Sequence, residues 1–299
     1  MAFLTSVMEN YSFLWILFAA GAGAFIWVQW IEPNWFCVRH ETVRVGRKIG
    51  LPFTVLHLSD LHFTKPRRSL EKFLQRLSCS DVDFVFVTGD LIDDPKGIKP
   101  CVESLKKFKP RKGTFVVFGN HDYRTYPFAD QINRLITRKY YGRSRPETEQ
   151  LKKGLREAGI HVLQNQNVSV ALGGGERVVI VGVDDPVTGR ADFDQAFQDA
   201  GNGAVCLALI HSPSPFPVLE RRSIDIAFAG HTHGGQIRIP GIGPLPYAYQ
   251  LEPIIDSTNR YGFVGLVSRG LGAHPSIRLR FFCRPEAVLV RVETKQASC

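Results

Sequence analysis

Five short stretches of the chain end in side chains that bind metal ions: Asp60-Leu-His62, Gly89-Asp90, Gly119-Asn120-His121-Asp122, His211 and Gly230-His231-Thr232-His233. Five of the nine histidines fall in these turns. Two divalent cations need about eight to ten ligands, with one carboxylate bridging ions ~3.5–4 Å apart. Asp60 and His62 converge if their turn bends the chain. Asp90, alone in its turn, suits the bridge because its two oxygens can serve two ions. Asn120 supplies a neutral carbonyl oxygen, which limits the charge of an acidic cluster. With His211, His231 and His233 the donors are mixed nitrogen and oxygen, a set suited to manganese, iron or zinc more than to magnesium or calcium.

Something must carry these turns to one place. Each follows a β-forming run: 53–58, 84–87, 114–118, 204–210 and 224–228. Ligands at the C-terminal ends of strands describe a site at one edge of a sheet. Helical patterns near 69–78 and 98–108 separate the first three strands, which implies a layered α/β domain. A helix near 147–158, a strand near 160–163 and a hairpin turning on Gly173-Gly-Gly follow. Further strands are expected near 262–267, 276–283 and 287–292, and Thr42-Val-Arg-Val suggests a first one. Two sheets face to face, with helices outside, accommodate them all. Residues 123–146 break the rhythm with four of the eight tyrosines and many basic residues, and read as an inserted flap beside the site.

At 299 residues and 44% hydrophobic content the chain is a folded protein, not a disordered one. Its net charge of +9 suggests anionic company, either a phosphorylated substrate or an acidic membrane surface. No motif for reading nucleic acid accompanies that charge, so none is expected as a partner. The six cysteines are scattered without a C-x-x-C pair, which points to free thiols in a reducing compartment. Residues 11–31 carry no formal charge and are mostly apolar, long enough to span a bilayer. All four tryptophans lie in or beside this run. The absence of a basic leader region argues against a cleavable signal peptide. Arg39, Arg44, Arg47 and Lys48 follow the run, so the positive-inside rule places the body in the cytoplasm, on an inner-membrane anchor. The alternative is a helix lying in one leaflet. The resulting organisation is an anchor over 1–38, a juxtamembrane connector over 39–50 and a catalytic domain over 51–299.

The order DxH, GDxxD, GNHD, H, GHxH over residues 55–233 resembles that of the calcineurin-like metallophosphoesterases. The resemblance implies a four-layer α/β/β/α sandwich, here behind an N-terminal transmembrane helix. It implies that Asp60, His62, Asp90 and His233 hold one metal ion, and Asp90, Asn120, His211 and His231 a second. A hydroxide between the two cations would be the nucleophile. His121 would be the catalytic acid or charge stabiliser, with Asp122 as its orienting partner, while Asp93 would hold its turn. Asp184-Asp185, ahead of Pro186, reads as a solvated turn, and His57 as a structural histidine.

Beyond these blocks, Ile31-Glu-Pro-Asn after the apolar run, Gly230-His-Thr-His-Gly-Gly-Gln-Ile-Arg-Ile-Pro and Val267-Ser-Arg-Gly-Leu-Gly look like a membrane-anchored bacterial branch. That branch holds YkuE-type phosphodiesterases and LpxG-type UDP-2,3-diacylglucosamine diphosphatases of lipid A biosynthesis. A lipid-linked UDP-sugar is therefore the expected substrate, and Mn²⁺ the expected metal, with Fe or Zn as alternatives. Arg124, Arg238 and Arg269 are candidate phosphate contacts. A broad phosphodiesterase and a non-catalytic membrane-bound binding protein are the alternatives.

Overall fold

The β-forming runs become strands in a computed structural model, whose description covers residues 2–47, 49–126, 142–200, 205–244, 256–273 and 279–295, with side chains from residue 14. The strands are β1 (Cys37–Val45), β2 (Phe53–Leu58), β3 (Phe84–Thr88), β4 (Gly113–Val117), β5 (His161–Val162), β6 (Gln166–Gly173), β7 (Glu176–Gly182), β8 (Val205–Leu209), β9 (Ile226–Ala229), β10 (Ser257–Thr258), β11 (Val264–Val267) and β12 (Glu286–Thr294). Among the described residues they form two six-stranded sheets, ordered β1-β12-β2-β3-β4-β5 and β10-β11-β9-β8-β7-β6. Strands β2 to β5 run parallel, as do β7, β8, β9 and β11.

Side-chain alternation explains the layering. In β2, Phe53 and Val55 enter the core between the sheets, while Leu56 and Leu58 face the other way. Between the sheets Phe86 meets Phe228 edge-to-face at 5.1 Å. On the outer face of the first sheet lie α2 (Arg68–Leu77), α3 (Ile98–Leu105) and α4 (Thr148–Glu157), which bury Leu70, Leu74, Cys101, Leu151 and Leu155. The short helices α5 (Phe193–Phe197) and α6 (Phe216–Leu219) cover the second sheet through Ala196, Phe216 and Leu219. The result is the expected α/β/β/α sandwich.

Three local expectations change. The first strand expected at Thr42–Val45 is longer and takes in most of the 39–50 connector: Cys37–Val45 is an edge strand, paired residue by residue with Glu286–Thr294 at the far end of the chain. The 276–283 run is not a regular strand where it is described; residues 279–283 are irregular, with one bridge from Phe281 to Ile237. Most of the 123–146 flap lies outside the described residues, but its base is a short ribbon in which Arg124 and Thr125 pair with Ser144 and Arg143.

Helix α1 (Ala2–Ile26) continues through a wider turn to Ile31 and a tighter one to Asn34. Over Leu14–Asn34 it is the one helix among the described residues that is long and apolar enough to cross a membrane, and none of residues 14–31 is buried in the protein.

Candidate dimetal site

The carboxyl ends of β2, β3 and β4 in one sheet, and of β8 and β9 in the other, meet at one edge of the sandwich. There Asp60, His62 and His233 form one group, and Asp90, His211 and His231 a second, each with ligand atoms within 4.8 Å of one another. His62 Nε2 lies 3.2 Å from His233 Nε2, and His231 Nδ1 lies 3.0 Å from His211 Nε2. Asp90 touches both groups through different oxygens, Oδ1 at 3.3 Å from His211 Nε2 and Oδ2 at 3.7 Å from His62 Nε2. Asn120 Oδ1 is buried with no hydrogen-bond partner, which is costly unless a ligand satisfies it. These donors fit two divalent cations.

Neighbouring groups prepare the imidazoles for that role. The His211 Nδ1 contact is the Thr88 carbonyl at 2.9 Å; a carbonyl only accepts, so Nδ1 carries the hydrogen and Nε2 keeps its lone pair. His62 Nδ1 does the same toward Asp93 Oδ1 at 2.9 Å. Burial alone would lower the His62 pKa, but Asp93, with Asp90 and Asp60 nearby, raises it to about 9. Cation binding must displace such a proton. Asp60 takes the Ser59 hydroxyl at 2.5 Å and the His231 amide at 3.1 Å.

The backbone is strained where the ligands sit. Asp60, His62, Asp90, His231 and His233 all have φ between +47° and +67°. A left-handed non-glycine residue costs on the order of 1–3 kcal/mol and persists where its surroundings over-determine it. Five of the nine left-handed non-glycine residues among those described are ligands in the site, and they mark where stability is given up for geometry. Gly230 shows how tight the packing is: an added Cβ would lie 1.8 Å from Ser59 Oγ and 2.4 Å from Asp60 Oδ2. Gly230→Ala is expected to destabilise the protein by about 1–3 kcal/mol through overpacking and to reduce bound metal. Thermal unfolding and metal analysis of the purified variant check both.

His121 and Asp122 part company in the structure. They occupy one helical turn, Asn120–Tyr123, on which adjacent side chains point in different directions. His121 Nδ1 lies 2.8 Å from Asp93 Oδ1, so Asp93 and not Asp122 is its orienting carboxylate. Burial would raise the Asp93 pKa, but His62 and His121 hold it well below the usual carboxylate range. Asp122 instead accepts the amides of Gly119, Leu91 and Ile92, and ties two ligand turns together. Burial, reinforced by Asp90, raises its pKa to about 7.

Two of the three candidate phosphate arginines are paired with carboxylates. Arg124 belongs to the ribbon at the flap base. Arg269 pairs with Asp256 at 2.7 Å and with Glu286 at 3.6 Å, and Arg238 reaches Asp256 at 3.5 Å. Asp184 and Asp185 are buried rather than solvated. Asp184 accepts the Tyr123 hydroxyl at 2.6 Å, and Asp185 accepts the Thr188 amide at 2.7 Å.

Two buried arginines have no motif to announce them. Arg145 donates from Nε to the His121 carbonyl at 2.9 Å and from Nη2 to the Asp93 carbonyl at 2.8 Å, clamping the backbones of both partners. Arg280 donates to the carbonyls of Arg269, Gly272 and Cys283 behind His233.

His57, behind the site, meets Thr88 Oγ1 at 2.8 Å and packs edge-on against Phe228. Burial, then the charge of Arg39, lowers its pKa to about 3. As pH falls, the unfolded chain therefore takes up this proton first. The stability it confers is fully present above about pH 6.5 and is lost as pH drops toward 3. Between pH 7 and 5 that loss amounts to roughly 2 kcal/mol. His57→Gln is expected to flatten the acid limb by that amount, as measured by denaturant unfolding across pH.

The model of the calcineurin-like phosphoesterase family matches residues 53–235, a range that holds all seven donors. The metallophosphoesterase YkoQ of Bacillus subtilis is 32% identical over 68% of this chain and 70% of its own. YkuE of the same organism is 26% identical over 92% of this chain and 93% of its own. The UDP-2,3-diacylglucosamine pyrophosphatase LpxG of Chlamydia trachomatis is 27% identical over 92% of this chain and 94% of its own.

Proposed function

We propose that this chain, which belongs to the calcineurin-like phosphoesterase family, is a membrane-anchored dimetal hydrolase that cleaves the pyrophosphate of UDP-2,3-diacylglucosamine. Water adds across the P–O–P linkage, giving UMP and 2,3-diacylglucosamine 1-phosphate, a step of lipid A biosynthesis. The observation that carries the reaction class is Asp90, whose two oxygens face two separate nitrogen and oxygen donor groups. Asp60, His62, Asp90 and His233 would hold one cation, and Asp90, Asn120, His211 and His231 the other, with manganese preferred over iron or zinc. Bound there, the cations supply charge neutralisation and acidification of water. His121, whose Nδ1 faces Asp93 Oδ1 at 2.8 Å, would move a proton to the leaving oxygen. Arg145 keeps His121 and Asp93 in register.

A lipid-linked substrate is supported by the apolar helix and by the likeness to LpxG over nearly the whole chain. The basic residues after the helix support a cytoplasmic body, on the inner face of the membrane. A reporter fused at Cys299 that is active only outside the cytoplasm would overturn that orientation. The second reading is a broader phosphodiesterase, favoured by the likeness to the phosphodiesterase YaeI of Escherichia coli, 27% identical over 91% of this chain.

Turnover of UDP-2,3-diacylglucosamine to UMP by the detergent-solubilised full chain tests the proposal, with the unacylated UDP-sugar as control. Efficient turnover of the acylated compound alone is expected. Good hydrolysis of bis(p-nitrophenyl) phosphate with none of the acylated substrate would leave the broader reading. A protein that binds no metal and hydrolyses neither compound would be a binding protein.

A further inference from the structure

The loop behind His233 carries a large apolar side chain turned into solvent. Phe282 is 58% exposed and has φ +49°, a backbone conformation that bulky L-residues rarely adopt. Its neighbours account for the kink. Arg280 is fully buried, and Cys283 is buried with its thiol 3.2 Å from the His233 carbonyl. Drawing both residues inward leaves Phe282 pointing out. Ile242 is 77% exposed at the tip of a small hairpin, Arg238–Ile239 with Gly243–Pro244. The hairpin is tied to the same loop: the Arg238 amide donates to the Phe281 carbonyl at 2.8 Å, and the Phe281 amide to the Gln236 carbonyl at 2.9 Å.

This loop is docked on the foot of the apolar helix. The Arg280 amide donates to the Val28 carbonyl at 3.0 Å. The Cys283 amide donates to Glu32 Oε1 at 2.6 Å, and Trp27 Nε1 to Glu32 Oε2 at 3.0 Å, so that this carboxylate is buried at the junction. Arg284 lies over the Trp35 ring at 4.1 Å and donates to the Trp35 carbonyl at 3.0 Å. The loop therefore sits level with residues 28–35, where the exposed rings of Trp30 and Trp35 occupy the end of the apolar span. Indole rings and arginines favour that boundary between hydrocarbon and water. Cys283 contacts both Glu32 of the helix and His233 of the metal site, so a single residue separates the membrane anchor from the chemistry.

We propose that Phe282 and Ile242 form a second membrane contact, a wedge that enters the lipid interface beside the anchor and holds the mouth of the metal site at headgroup depth. The occupant of this apolar surface is lipid because the surface continues the exposed flank of the anchor at the same level. The wedge adds orientation rather than attachment, which the helix already supplies. It restricts rotation about the helix and keeps the site facing a phosphate carried in the bilayer. The proposal rests on the reading of the helix as a membrane anchor.

Quenching by lipids tests it on the full chain. In a background carrying Cys37→Ser, Cys79→Ser and Cys299→Ser, Phe282→Cys, Ile242→Cys, Trp30→Cys and Val218→Cys are each labelled with an environment-sensitive fluorophore. Each is reconstituted into phosphatidylcholine and phosphatidylglycerol vesicles carrying brominated acyl chains. Val218, exposed on α6 over the second sheet, is the aqueous reference. Labels at 282 and 242 are expected to lose half or more of their emission, as at 30, with little loss at 218. Quenching at 30 with 282 and 242 behaving like 218 overturns the wedge and leaves the anchor. No quenching at any position overturns the anchor reading, and the wedge with it.

Discussion

Asp90→Asn is expected to slow hydrolysis of bis(p-nitrophenyl) phosphate by about 10³–10⁴-fold, or roughly 4–5.5 kcal/mol of transition-state stabilisation, and to reduce bound metal from two ions per chain to one or fewer. The size of the effect follows from the position of this carboxylate between the donor groups. It faces His211 with one oxygen and His62 with the other, and it is the only carboxylate within 4 Å of both groups' imidazoles among the described ion pairs. An amide offers one acceptor oxygen and no charge, so one of two mutually repelling dications loses its shared anion. Oδ1 also accepts the His121 amide at 2.9 Å, so the substitution disturbs the turn that carries the proposed acid as well.

Asparagine is the informative replacement because Asp90 has φ +52°. Asn tolerates the left-handed region better than alanine does, so the backbone turn survives and the chemistry alone is altered. Metal content measured by mass spectrometry, beside the rate, separates lost ligation from lost folding. A variant that keeps two tightly bound ions and the parent rate would remove Asp90 from the bridging position. The same pair of measurements on the parent protein separates an enzyme from a binding protein.

Much of this site is legible without a structure, and the reason is physical. The runs that end at Leu58, Thr88, Val117, Leu209 and Ala229 are short, apolar and bounded by glycine or polar turns, so their strand character is local. Parallel strands of one sandwich must end at a common edge, and the ligands follow from that. What the sequence hides depends on contacts between distant segments. Asp93 is visible as part of a GDxxD spacing. Its meeting with both His62 and His121 depends on how the left-handed Asp90 turns the chain, a matter of tertiary geometry. Arg145 acts on His121 only because the flap returns to its own base. The alternation of Thr42-Val-Arg-Val announces part of β1 but not its place: its partner lies some 250 residues away, and β-propensity alone does not reveal an edge position. The backbone amides that Asp122 accepts, from Gly119, Leu91 and Ile92, belong to two different turns and are equally invisible along the chain.

His121→Gln is expected to slow phosphoesters with alkoxide leaving groups by about 10²–10⁴-fold, the usual range for loss of a general acid, while p-nitrophenyl esters lose far less. The difference arises because p-nitrophenolate departs without a proton, whereas an alkoxide does not. The variant should keep its metal, since His121 Nδ1 is committed to Asp93 and its assigned work lies at the leaving oxygen. Asp93→Asn should show the same dependence on the leaving group together with weaker metal binding, because Asp93 also receives His62 Nδ1 at 2.9 Å. Removing both side chains is expected to cost less than the sum of the single losses, as for any pair that acts as one unit. Asp122→Asn behaves differently on this view: its carboxylate holds the Gly119, Leu91 and Ile92 amides, so the melting temperature drops before any preference among leaving groups changes. Rates on a matched alkyl and p-nitrophenyl diester pair, with metal content for each variant, decide the matter. Equal losses on both esters in His121→Gln would mean that His121 stabilises charge and transfers no proton.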